Sequence, residues 1–178
     1  MKTIGLLGGM SWESTDLYYQ QINKMVQMKL GKLHSAKVVL ISVDFAEIEE
    51  LQHKGLWDEA GLYLKDKAIQ LEKGGADGIV LCTNTMHKVA SYIENSTTIP
   101  FIHIADATAT EILSQNIKKI GLLGTAFTME QDFYKSRLEE KGLEVITPNE
   151  TNRKVVHDII YNELCLGVIN EESQKKYI

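Results

Sequence analysis

Lys2-Thr3-Ile4-Gly5-Leu6-Leu7-Gly8-Gly9 returns 116 residues later as Lys118-Lys119-Ile120-Gly121-Leu122-Leu123-Gly124-Thr125. Each copy is a short apolar run that ends in small residues and passes into a stretch of helical period. That is the pattern of a buried strand feeding a helix. Outward from these copies, β-rich runs alternate with helical ones. The candidate strands are Ile4–Leu7, Val38–Val43, Gly78–Cys82, Phe101–Ile104, Lys119–Leu123 and Glu144–Ile146. The candidate helices are Trp12–Lys29, Trp57–Lys73, His87–Glu94, Ala107–Gln115, Met129–Lys141 and Asn152–Leu166. Such alternation predicts an α/β fold with a mostly parallel sheet flanked by helices. The repeat predicts two similar lobes, residues 1–112 and 113–178, the second incomplete at this offset.

Composition narrows the function. With 44% hydrophobic and 24% charged residues the chain is globular rather than disordered. A net charge of -5 without long blocks of one sign speaks against a nucleic-acid partner. Two cysteines, Cys82 and Cys165, are too few for a disulfide scaffold and fit a reducing cytoplasm. No apolar run reaches the length of a membrane span, so no membrane partner is expected.

In open α/β sheets, ligands bind at the carboxyl ends of strands, where helix N-termini present free amides. Four strand ends stand out here. Gly8-Gly9-Met10-Ser11 offers two glycines that let a ligand approach backbone, and Ser11 to cap the next helix. It has neither the phosphate-loop lysine nor the dinucleotide spacing, which sets aside a nucleotide-binding domain. Cys82-Thr83-Asn84-Thr85 ends a strand in small polar side chains, more than helix capping requires. Alternation turns Cys82 and Thr83 to opposite sides, Cys82 being a buried hydrophobe. In Gly124-Thr125-Ala126-Phe127-Thr128, the threonines are caps or substrate contacts. Val43-Asp44-Phe45 leads into the acidic run Glu47 to Gln52, a solvated helix face. Cys82 and His87 have no second pair at ligand spacing, so no metal site is expected. The histidines His34, His53, His103 and His157 read as surface or cap residues.

Taken together, Gly8-Gly9-Met10-Ser11-Trp12-Glu13-Ser14-Thr15, Ser42-Val43-Asp44-Phe45, Cys82-Thr83-Asn84-Thr85-Met86-His87 and Gly124-Thr125 resemble the aspartate/glutamate racemase family, most of all its bacterial L-aspartate/glutamate-specific branch. The resemblance covers the whole chain. It implies a cofactor-independent racemase of two α/β lobes, with an amino-acid substrate, L-aspartate or L-glutamate, in the cleft between them. Two opposed groups, usually cysteines, exchange the α-proton on opposite faces, a case of general acid–base catalysis. It implies Thr83 at the first catalytic position. Met10, Gln52, Asn84, Thr85, Thr125 and Glu163 match positions that contact substrate, and a homodimer is the implied assembly.

The chain departs from the family pattern in three places. Thr83 stands where most members carry cysteine, and a hydroxyl is a poor base, so proton traffic should be lopsided and start from L-substrates. The Gly-Cys-Thr-Glu segment with the second catalytic cysteine is absent, and Cys165 does not replace it. The repeat offset puts the partner of Thr83 near position 199, beyond residue 178. The expectation is therefore a C-terminally truncated chain with little or no turnover. Ile48 also stands where many aspartate racemases place a basic residue, so no cation is assigned to the substrate's distal carboxylate. The competing reading is a catalytically dead or truncated dicarboxylic amino-acid binding protein.

Overall fold

The run from Ile4 to Leu7 becomes the interior of β1 (Thr3–Gly8), a strand with a parallel neighbour on each side. Leu6 and Leu7 point to opposite faces of the sheet, and both are wholly inaccessible to solvent. Both faces are therefore covered, as parallel sheets require. A computed structural model describes residues 1–177, which divide into two compact units, Met1–Ile102 and a second beginning at His103.

The first unit is a parallel sheet of β1, β2 (Lys37–Ser42), β3 (Gly78–Leu81) and β4 (Phe101–Ile102), in the order β2-β1-β3-β4. Its helices are α1 (Trp12–Leu30), α2 (Phe45–His53), α3 (Trp57–Lys73) and α4 (Ala90–Glu94), the last preceded by a 3-10 turn over Thr85–Val89. Leu7, Ile48, Leu64, Leu71, Ile79, Leu81, Met86 and Ile93 form its apolar core. In α2 the acidic residues Glu47 and Glu50 are exposed while Ile48 and Gln52 are buried. The acidic run is thus the solvated face of a helix.

Gly8 and Gly9 serve this packing. A Cβ on Gly8 would collide with the Thr15 side chain, and one on Gly9 with the Val43 backbone. Gly9 also has φ +92°, in the left-handed region that glycine tolerates. Thr15 Oγ1 accepts a hydrogen bond from Gly9 N at 2.8 Å and donates to the Ser11 carbonyl at 3.1 Å. The room next to these glycines, expected to admit a ligand, is filled by Thr15 and Val43. Ser11 takes the N-cap position of α1, but its side chain makes no capping hydrogen bond.

The second unit contains α5 (Ile104–Ser114), β5 (Lys119–Gly121), α6 (Ala126–Glu130), α7 (Asp132–Glu139), β6 (Glu144–Ile146), α8 (Glu150–Asn162) and α9 (Glu171–Lys175). Strands β5 and β6 pair in parallel. Ala105 and Ala109 of α5 pack with Tyr134, Leu138, Leu143 and Val145, and Arg137 of α7 grips Asp106 through Nε (3.1 Å) and a terminal nitrogen (2.7 Å). That packing assigns α5 to this unit, so the division falls ten residues before the expected 112/113. The strand repeat carries a packing echo: a Cβ on Gly124 would lie 3.1 Å from Thr128 Cβ, as Gly8 is crowded by Thr15.

Element ends differ from expectation where a cap or an extended residue intervenes. β4 stops at Ile102 because His103 caps α5, its Nδ1 accepting from Ala105 N at 3.1 Å. Gln131, extended at φ −94° and ψ 151°, splits the helix expected over Met129–Lys141. Glu163 at φ −130° and ψ −67° ends α8 before a 3-10 turn over Leu164–Leu166. Among the described residues no helix is long and apolar enough to cross a membrane.

Two predictions follow from this packing. Gly8→Ala lowers stability in urea denaturation by about 1–3 kcal/mol through overpacking against Thr15. Gly121→Ala, whose Cβ meets nothing within 4 Å, changes it by less than about 0.5 kcal/mol. The second concerns His103, pushed down from 6.5 to about 4 by burial and by the Arg137 charge, with Asp106 opposing. Its folded value lies below its unfolded one, so the neutral ring that accepts the capping bond stabilises the fold fully above about pH 6.5. That stabilisation drains away as pH falls towards 4. His103→Asn keeps a cap that does not titrate. In urea melts at pH 7 and 4.5 the variant escapes about 2 kcal/mol of the wild-type loss.

Candidate active site

The chain leaves β1 towards β2 and returns to the other side of β1 for β3. The strand order reverses between β1 and β3, and such a switch point opens a crevice at the carboxyl edge of the sheet. Leu7 lies opposite Leu81, and Cys82 N donates to the Leu7 carbonyl at 2.8 Å. On the other flank Gly8 lies opposite Ser42, and Val43 N donates to the Gly8 carbonyl at 3.0 Å. Three loops therefore leave one edge together: Gly9-Met10-Ser11, Val43-Asp44 and Thr83-Asn84-Thr85.

Hydrogen bonds lock the first and third loops to each other. Ser14 Oγ bridges the carbonyls of Ser11 (2.9 Å) and Cys82 (2.8 Å). His87 Nδ1 lies 2.7 Å from the Thr83 carbonyl. A carbonyl only accepts, so the ring carries its proton on Nδ1. His87 is itself buried, tilted against Phe101 with ring centroids 5.7 Å apart.

Cys82 is fully buried, and burial pushes its thiol up to about 12. At neutral pH it is no thiolate and no base. Its neighbour Thr83 is half-buried, and its hydroxyl has no hydrogen-bond partner among the described residues. Asn84 precedes the 3-10 turn, yet its exposed side chain makes no capping bond. Capping therefore does not account for this polar run. Thr85 is buried. Gln52 is buried too, its Nε2 donating to Met86 Sδ at 3.0 Å, and Met10 is almost fully enclosed. Five sequence-derived candidates, Met10, Gln52, Thr83, Asn84 and Thr85, thus belong to one unit and one sheet edge or the helix packed on it. Asp44 is spent on capping α2, accepting from Ala46 N at 3.0 Å.

The remaining two candidates belong to the second unit. Thr125 caps α6, its Oγ1 3.4 Å from Thr128 N and 3.3 Å from Thr128 Oγ1. Ala126 N meets His157 Nδ1 at 3.1 Å, fastening the start of α6 to the middle of α8. Glu163 lies past the end of α8, accepting from Ser173 Oγ at 2.7 Å, while its Oε2 is buried with no hydrogen-bond partner among the described residues. Ser14 and His87 escaped the sequence reading as contributors to the site. Their signal was spacing alone: Ser14 follows Ser11 by three residues and His87 follows Thr83 by four, the reach of a side chain bonding back to a carbonyl one turn earlier.

Comparison with known proteins agrees with this architecture. A model of the family described as Asp/Glu/Hydantoin racemase matches residues 7–178. The broad specificity amino-acid racemase RacX of Bacillus subtilis (strain 168) is 30% identical over 148 residues. That match covers 80% of this chain but only 63% of the length of RacX. The crystal structure of a candidate Asp/Glu racemase from Yersinia pestis is 59% identical with a TM-score of 0.90, covering 99% of this chain and 77% of that one. An aspartate racemase homologue from Pyrococcus horikoshii OT3 is 35% identical with a TM-score of 0.83, covering 98% of this chain and 76% of that one. All the loops of the sheet edge fall within the matched span, and the chain belongs to the Asp/Glu/Hydantoin racemase family.

Proposed function

We propose that the protein interconverts L- and D-aspartate or glutamate without a cofactor, with Thr83 as one of two groups that exchange the proton at Cα. The observation that carries this reading is the state of the Thr83 and Asn84 side chains. Both lie at the switch point, and neither is consumed by the fold. A hydroxyl that the fold leaves over at this point supports a role in handing a proton to a substrate carbon. Adjacent Cys82, buried and protonated, does not.

A threonine hydroxyl loses its proton far less readily than a thiol, so Thr83 serves better as donor than as acceptor. The favoured direction starts from the L-substrate. In the full-length enzyme a second group, a cysteine thiolate in the family pattern and not one of residues 1–178, takes the α-proton from one face. The electron pair left on Cα is stabilised as an enolate, and Thr83 delivers a proton to the other face. Met10, Gln52, Asn84 and Thr85 are the proposed substrate contacts of the first unit, Thr125 and Glu163 those of the second. Polar groups near Cα and its carboxylate would blunt the developing negative charge. A cytoplasmic homodimer belongs to the same reading.

The test is proton exchange in deuterium oxide followed by nuclear magnetic resonance and chiral chromatography. In a chain extended to the full length of its relatives, L-aspartate or L-glutamate is expected to yield the D-enantiomer carrying deuterium at Cα, whereas residues 1–178 alone are expected to give little or none. Thr83→Ala should slow that product by about 10²–10⁴-fold, the usual contribution of a general acid. Thr83→Cys should speed the reaction that starts from the D-enantiomer, because a thiol also works as a base. An extended chain that neither exchanges the α-proton nor racemises either substrate overturns the reading. Binding without exchange favours a dicarboxylic amino-acid binding protein.

A further inference from the structure

Lys88 lies on the same 3-10 turn as Thr85, and its ammonium sits 3.8 Å from the centroid of the Trp57 ring. In a 3-10 turn, residues three apart eclipse each other, so Thr85 and Lys88 share one face, separated by about 6 Å along the axis. The turn is held from two directions. Gln52 of α2 reaches Met86, and Trp57 at the start of α3 lies under Lys88. The cation is thus fixed one turn beyond the Thr83-Asn84-Thr85 loop.

Its charge is left uncompensated. At the end of α2, by contrast, Lys54 is paired with Glu50 at 2.5 Å. Lys88 has neither an ion pair nor a hydrogen bond among the described residues. It is half-buried, and burial holds it below the ordinary lysine value with no carboxylate close enough to oppose the shift. Desolvating a cation is costly unless an anion or polar partner offsets it, and an aromatic face offsets only part.

We infer that Lys88, steadied by Trp57, is the cation that receives the distal carboxylate of a dicarboxylic amino acid and so sets the charge selectivity of the site. This rests on the racemase reading of the same sheet edge. It supplies the positive partner that Ile48 does not provide. A carboxylate meeting a partly desolvated ammonium forms a charge-assisted bond that an amide of the same shape cannot match. The substrate α-carboxylate is common to both kinds of ligand, so selectivity between them reads the distal group alone.

The experiment is calorimetric titration of the protein with L-aspartate and L-glutamate against L-asparagine and L-glutamine, which have nearly the same shape without the charge. The wild type should prefer the acids. Lys88→Met keeps the stem on Trp57 and removes the charge. It should cut the preference at least about tenfold while amide binding changes by less than about twofold. Lys88→Arg should hold the preference within about threefold, because a guanidinium also stacks on an indole. Trp57→Phe should give an intermediate loss, a ring of weaker attraction remaining beneath the ammonium. An unchanged preference in Lys88→Met overturns the inference, as does equal weakening of acids and amides, which a purely structural lysine would produce. A wild type that binds amino acids without preferring acids overturns it as well. A wild type that binds none of the four removes the racemase reading and this inference with it.

Discussion

Everything at the carboxyl edge of the first sheet depends on how closely the chain passes itself at Gly8 and Gly9. Thr15 occupies the place of a Gly8 side chain, and the Val43 backbone that of a Gly9 side chain. Only glycine permits both contacts. They draw the start of α1 down onto the end of β1 and bring the end of β2 alongside. Ser14, one residue before Thr15, then reaches across to the Cys82 carbonyl and sets the height at which the β3 loop leaves the sheet. A single close approach of backbone thus places three loops. The polar groups between them inherit their positions from packing.

This placement divides the polar residues into those the fold uses and those it leaves over. Asp44, His103, Asn149 and Asn170 each accept a backbone N–H at the start of a helix. Their chemistry is occupied with orphan amides that would otherwise be unsatisfied. Thr83 and Asn84 are also residue types that cap helices, at a similar strand-to-helix junction, yet contribute only backbone atoms to it. Cys82 is withdrawn in a third way, by burial that keeps its thiol protonated. The sorting rests on geometry alone and isolates a hydroxyl and an amide at the switch point.

Much of this was legible in the sequence. The repeated apolar run ending in glycine marked β1 and β5, and the alternation of strand and helix periods gave the parallel α/β architecture. Trp57–Lys73 has the same bounds in sequence and structure, because Gly74 and Gly75 interrupt the helical period cleanly. The polar run Thr83-Asn84-Thr85 could be picked out because capping needs one such residue rather than three. What could not be read were properties that depend on a distant partner. The purpose of Gly8 and Gly9 lies in Thr15 and Val43. The end of β4 is decided by a histidine acting as a cap, an uncommon choice. The contact of Lys88 with Trp57 joins residues 31 positions apart and leaves no local signal in the sequence.

The proposed reaction places an amino acid at the junction of β1 and β3, with its Cα against the Thr83 hydroxyl. A crystal structure of the protein soaked with L-aspartate or L-glutamate tests this most directly. The account predicts the substrate Cα about 3–3.5 Å from Thr83 Oγ1, a distance at which proton transfer is within reach. Substrate bound away from the β1/β3 edge, or bound there with the Thr83 hydroxyl turned from Cα, would contradict it.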